Sequence, residues 1–421
     1  MAYGGFGRRV LSLAMVAVWA GCSSSGGPSG PGPTPAIALS LSPTSASVAQ
    51  GAPPDTTTGA LRVVAQIPIP PNFGVHDSYV RDGVAFVCAW NTGLIIYDVG
   101  DGSWGGSPSN PVEISRILTS DDGVAGGPAV HNAWWFHNPV TGERRYVFVG
   151  QEGPMTIPSA ATGDIHVVDL SNLAAPREVA FYHQASAGAH NFWMDEAAQI
   201  LYAAYYNGGI VALDVSGTLA GDLAGREIAR VKPASTPWMW GVQLSRGSLY
   251  AIDLLNGLYQ LRLDGHAFTI LAGGSNNVPE RYSSDLWVSG DYAYTGTWGA
   301  TARNGTPGNA VKIWHLGPSG APVLVDSIVV AGIGTVSDVK GSADGKVLVF
   351  SAELGPSAGL YVYSLSDPVH PARIGRMLEA AGFHTARVAD IGGRRYVFGA
   401  RNPGTPPNPA LVIFDITDLV P

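Results

Sequence analysis

The 421-residue sequence predicts an all-β fold: a seven-bladed β-propeller built of four-stranded blades. Three observations carry that expectation. Charged residues are only 13% of the chain while glycines number 55 and prolines 31, a profile of short strands and tight turns rather than helices. A short apolar pattern closing on aspartate recurs at blade-like spacing. The last copy then lacks a following strand, which an orphan strand near the N-terminus can supply.

Taken in order, residues 1–22 read as an export signal. Arg8 and Arg9 precede the apolar stretch VLSLAMVAVWAGC, too short for a spanning helix. Ala20-Gly21-Cys22 resembles a bacterial lipobox, with Trp19 where Leu or Val is usual, which implies lipidation of Cys22. Residues 23–58 form a Ser/Gly/Pro linker in which IALSLSPTSASVAQG resembles the opening strand of an immunoglobulin-like domain. The expected destination is the outer membrane or cell surface, otherwise the periplasm, with the lipid as the only membrane contact. Cys88, the other cysteine, lies in the apolar run VAFVCAW and reads as an inert buried thiol. The net charge of −8 with no basic run excludes a nucleic-acid surface.

Residues 59–421 hold the repeats. GLIIYDVGD, DIHVVDLSN, GIVALDVSG and ALVIFDITD close on Asp98, Asp169, Asp214 and Asp415. Weaker copies, GLYQLRLDG, AVKIWHLGP and GLYVYSLSD, put Arg262, His315 and Ser364 at that position. Each copy follows a strand ending in a Gly or Asn turn, and most precede an edge-like strand such as PVEISRIL. The strand LRVVAQIPI (61–69) is then expected to complete the last blade and close the ring, removing exposed strand edges. These copies resemble the LVIVD repeat of bacterial and archaeal cell-surface propellers, and a more distant resemblance links them to seven-bladed oxidases with histidine-held metal.

Within this frame, histidines recur where one blade hands over to the next: His76-Asp77, His131-Asn132, His190-Asn191 and His384-Thr385. They fall in four consecutive blades and are expected to form an arc at one mouth of the channel. Loops between second and third strands share that face and bring Trp90, Glu152, Tyr206, Trp298, Glu353 and Arg401, with Trp240 beside them. Imidazoles with carboxylates suit Zn, Fe or Cu, with Asp77 as an acceptor orienting the rings. Equally, a histidine at this handover can brace neighbouring blades through the backbone. Trp134, Trp135, Trp193 and Trp287 alternate within strands and read as packing between blades. The repeated aspartate reads as a turn cap. No nucleophile elbow or phosphate loop is present. The leading expectation is a monomeric binding scaffold for a protein, peptide or glycan, working through this face. The alternative is a metal-dependent redox enzyme with His76, His131, His190 and His384 as ligands.

Overall fold

Central strands of a blade are covered on both faces by neighbouring blades, so they are written as continuous apolar runs rather than alternating ones. Leu94–Asp98 and Val84–Cys88 are buried at every position, as are Ile165–Asp169 and Ala410–Asp415. Outermost strands instead mix classes: Val112–Ile117 is exposed or half-buried throughout, and Arg177–Tyr182 buries only Ala180 and Tyr182. A computed structural model describes residues 59–69, 74–121, 127–299, 302–317, 320–401 and 409–420. The signal, lipobox and linker expected over residues 1–58 lie outside the described residues.

The described strands form seven antiparallel sheets of four consecutive-neighbour strands, two of them extended by a two-residue strand. Their innermost strands are Asp77–Arg81, Val130–Phe136, Phe192–Asp195, Met239–Ser245, Tyr282–Ser289, Thr335–Gly341 and Thr385–Ile391. Each contacts the next around a closed circle, the last touching the first. Among the described residues there is no α-helix, and none long and apolar enough to cross a membrane.

The ring closes as the sequence indicates. Arg62–Pro68 pairs antiparallel with Ala410–Asp415 and so supplies the outer strand of the last blade. The Arg62 guanidinium donates to Asp415 Oδ2 at 2.6 Å, tying the two chain ends together. Two additions were not legible: Gly59–Ala60 pairs parallel with Ala372–Leu378, and Gly221–Asp222 with Arg177–Tyr182. Both add to outer edges, where a few backbone bonds suffice and side-chain pattern leaves no signature.

Turns before the third strand require glycine. Gly209 has φ +93, and a Cβ there would stand 2.1 Å from the Val231 carbonyl oxygen. At the strand's other end the aspartate caps the next turn. Asp98 Oδ1 accepts from the Gly100 and Asp101 amides at 2.8 and 3.0 Å, and Oδ2 from those of Trp104 and Gly106 at 2.9 Å each. Burial works against that charge, yet the four amides hold the carboxyl down at about 2. Asp169 is likewise held at about 2, against burial, by Arg145 and Ser171. The structural reading of this aspartate stands. Cys88 is fully buried, and burial pushes its thiol well up, as an inert thiol requires.

Candidate functional site

The same backbone bond seats the histidine in three blades. The amides of His76, His190 and His384 donate to the carbonyls of Cys88, Ala204 and Ala400 at 2.8–2.9 Å, the last residues or penultimate residue of the paired second strands. The repeat thus fixes the Cα positions, and the side chains converge. Ring centroids lie 4.2 Å apart for His384 and His76, 4.1 Å for His76 and His131, and 4.2 Å for His131 and His190. The arc continues in aromatics: Trp240 packs 4.5 Å from His190, Trp298 lies 5.2 Å from Trp240, and Trp90 stacks on His76 at 5.0 Å. Trp90 therefore stands apart from Trp240 and Trp298, with histidines between them.

Blade four breaks the histidine series because its position is filled from elsewhere. A Cβ on Gly241 would stand 2.8 Å from Asp285 Oδ1. Blades five and six place Ser284 and Ser337 there, whose hydroxyls donate to the Val336 carbonyl and to Glu353 Oε2, both at 2.6 Å.

The four imidazoles have different partners. His190 Nδ1 donates to the Trp240 carbonyl oxygen, which also accepts the Asn191 amide at 3.3 Å; this histidine braces blade three against blade four. His384 Nδ1 bonds Glu353 Oε1 at 3.1 Å. Burial opposes a charge on His384, but the Glu353 carboxylate raises it to about 8. His76 Nε2 and His131 Nε2 both face Glu152 Oε2, at 3.6 and 3.8 Å. Burial drives both rings down from the usual imidazole value, His76 strongly, so they are neutral at pH 7. Tyr206 donates its hydroxyl to Glu152 Oε1 and fixes that carboxylate.

Backbone strain gathers at the same place. Trp90 and Tyr206, bulky residues in equivalent loops, hold φ of +50° and +35°. Each is stitched to the innermost strand of the next blade, Trp90 to Val130 and Tyr206 to Met239. These bridges hold the Trp90 ring on His76 and the Tyr206 hydroxyl on Glu152.

Arg401 is buried and lies 3.6 Å from Glu379, an ion pair the sequence did not show. Asp77 does not orient the histidine rings: its Oδ1 accepts the Ser78 amide at 2.7 Å, one residue into the strand, where alternation turns it away from the histidines. The ring-orienting acceptors are instead Trp240 O, Glu353 and, at 3.4 Å from His131 Nδ1, Asn132 Oδ1. Lipidation at Cys22 falls outside the described residues.

Farther along the innermost strands lies a small channel pocket, lined from all seven blades. Trp134, Trp193 and Trp287 line it rather than serving only as packing, while Trp135 packs against Phe86 in the core as expected. Lys340 reaches across it to Asp285 and to Asp338 Oδ1 at 2.5 Å, and the Asn191 side chain donates to Asp285 at 3.0 Å. Sequence spacing offered one clue to this network. Asp77, Asn132, Asn191, Asp285 and Asp338 all follow the handover position by one residue, and Lys340 shares Asp338's strand face.

Residues 76–119, 160–184 and 280–301 match the LVIVD repeat. Three stretches of this seven-bladed propeller are thus similar to the LVIVD repeat. No curated protein matches the chain. The first match includes His76, the handover histidine of blade one. The propeller thus presents one mouth where imidazoles, indoles and buried carboxylates meet, above a cavity crossed by a lysine–aspartate network.

Proposed function

We propose that this propeller is an exported binding scaffold, lipid-anchored through Cys22, that engages a protein, peptide or glycan at the histidine-lined mouth of its channel. The carrying observation is the unbroken arc of rings from His384 through His190 to Trp298, together with strained Trp90 and Tyr206 held against it. A scaffold can keep such an arc only if its flat faces and ring nitrogens gain from a partner, since buried polar atoms without one destabilise the fold. Trp298, half-buried at the end of the arc, offers a ring to a sugar or side chain.

The test uses the full chain on glycan and peptide arrays beside Trp298→Ala and Trp240→Ala. Binding that falls about tenfold or more in these folded variants supports the reading, as expected when an aromatic anchor is truncated. Equal binding by parent and variants to every ligand found overturns it. Palmitate incorporation that disappears in Cys22→Ser supports the anchor; equal labelling removes it.

A further inference from the structure

We propose that His76, His131 and Glu152 form a mononuclear site for a divalent first-row transition metal at the channel mouth. The inference rests on the reading of that mouth as the working face and names what lies in it.

One ligand atom from each residue lies within 4.8 Å of the other two. More telling is the shape of the group. Both Nε2–Oε2 separations, 3.6 and 3.8 Å, exceed hydrogen-bonding range, so the rings and the carboxylate approach without bonding. Two ligands on a tetrahedral ion with bonds of about 2.1 Å stand about 3.4 Å apart, close to what is seen here. The site is spaced for an ion between its donors rather than for bonds among them.

An unmet polar atom agrees. His131 Nε2, which faces Glu152, is buried with no hydrogen-bond partner in a residue only 2% exposed. A folded protein does not ordinarily leave such nitrogens empty. His131 Nδ1 lies by Asn132 Oδ1, which favours the tautomer with a bare lone pair on Nε2 toward Glu152. Glu152 is in turn held by the Tyr206 hydroxyl, the outer-sphere bond that orients a ligating carboxylate.

The same accounting narrows the histidine arc. His190 has given Nδ1 to a backbone carbonyl and His384 has given Nδ1 to Glu353, and neither joins the convergent group. Two imidazoles and one carboxylate leave at least one coordination position for water or for the scaffold's own ligand. Such a donor set takes zinc or ferrous iron in preference to calcium or magnesium, which favour all-oxygen sites.

The experiment is metal content and affinity of the full chain, stripped with chelator and reconstituted separately with Zn²⁺, Fe²⁺, Cu²⁺ and Mg²⁺. About one transition-metal ion per chain, lost in His131→Ala and weakened at least 100-fold in Glu152→Gln, supports the site. Tyr206→Phe leaves the ligands in place and should lower affinity about tenfold, the usual effect of removing an outer-sphere partner. Co²⁺ loaded into the parent should give visible absorption bands that shift in Glu152→Gln. If His131→Ala fails to fold, the Glu152→Gln and Tyr206→Phe results decide. No binding of any transition metal by the folded parent overturns the site, as does unchanged affinity in Glu152→Gln. Array binding by a folded parent that takes up no transition metal sinks this inference alone; stoichiometric metal with no array ligand sinks the scaffold reading alone.

Discussion

Two polar positions recur around the ring, and the fold treats them in opposite ways. At the end of the third strand, Asp98 takes four backbone amides, and Asp415 takes the Thr417 amide and hydroxyl with Arg394 and Arg62. At the blade handover, His190 and His384 are bonded, but His131 Nε2 and His76 Nδ1 are buried with no partner among the described residues. Saturated polar groups recurring in a repeat define its architecture. Unsaturated ones at an equally regular position mark where the architecture has been left open for something else.

The largest effect that would test this contrast comes from acid. Asp98 and Asp169 are held at about 2, below the ordinary carboxylate value near 3.9, so their contribution to stability is present above pH 4 and disappears as pH falls through 2. Together they should remove on the order of 5 kcal/mol. Denaturant titrations from pH 5 to pH 2 measure this, and a flat profile would show that the caps carry little weight.

Removing one cap comes next. Asp98→Ala strips four amides of their acceptor and should cost about 2–3 kcal/mol. Asp214, partly exposed and bonded to the Ser216 amide with Arg226 at 3.6 Å, should cost under about 1 kcal/mol. Equal losses in urea melts would erase the distinction between saturated and lightly used caps.

The smallest effect probes the histidines in chelator-treated protein. His190→Leu leaves the buried Trp240 carbonyl short of a donor and should cost about 1–2 kcal/mol. His131→Leu removes an Nε2 that bonds nothing and only a long 3.4 Å contact from Nδ1 to Asn132, so stability should fall by less than about 1 kcal/mol. A larger loss in His131→Leu than in His190→Leu would mean that His131 is the brace.

How much of this was readable follows from which physics each residue answers to. Third strands such as Leu94–Asp98 are buried on both faces, and that demand is local enough to print itself as an apolar run with a terminal aspartate. Ring closure followed from counting strands. The handover histidines were legible as positions because the repeat fixes their backbone. Their partners were not, since Nδ1 of His190 meets a carbonyl in another blade 50 residues on, and no spacing rule reaches that far. Trp134, Trp193 and Trp287 pack between blades as expected, but their share in the channel wall was not legible for a related reason. Period two tells which side chains share a face, but not that the innermost strand of each blade has the channel beside it.

Closure of the ring also sets a clock on synthesis. Arg62 meets Asp415 across 353 residues of chain, so Arg62–Pro68, among the first strands to be made, waits for the last one before it has a place to go. Throughout that interval its backbone groups, and later the outward edge of Arg394–Arg401, are open to the wrong partner. A chain cut short anywhere before Ala410 never ends the wait. Cut just before Ala410, such a protein would carry six four-stranded blades and two permanently adhesive edges.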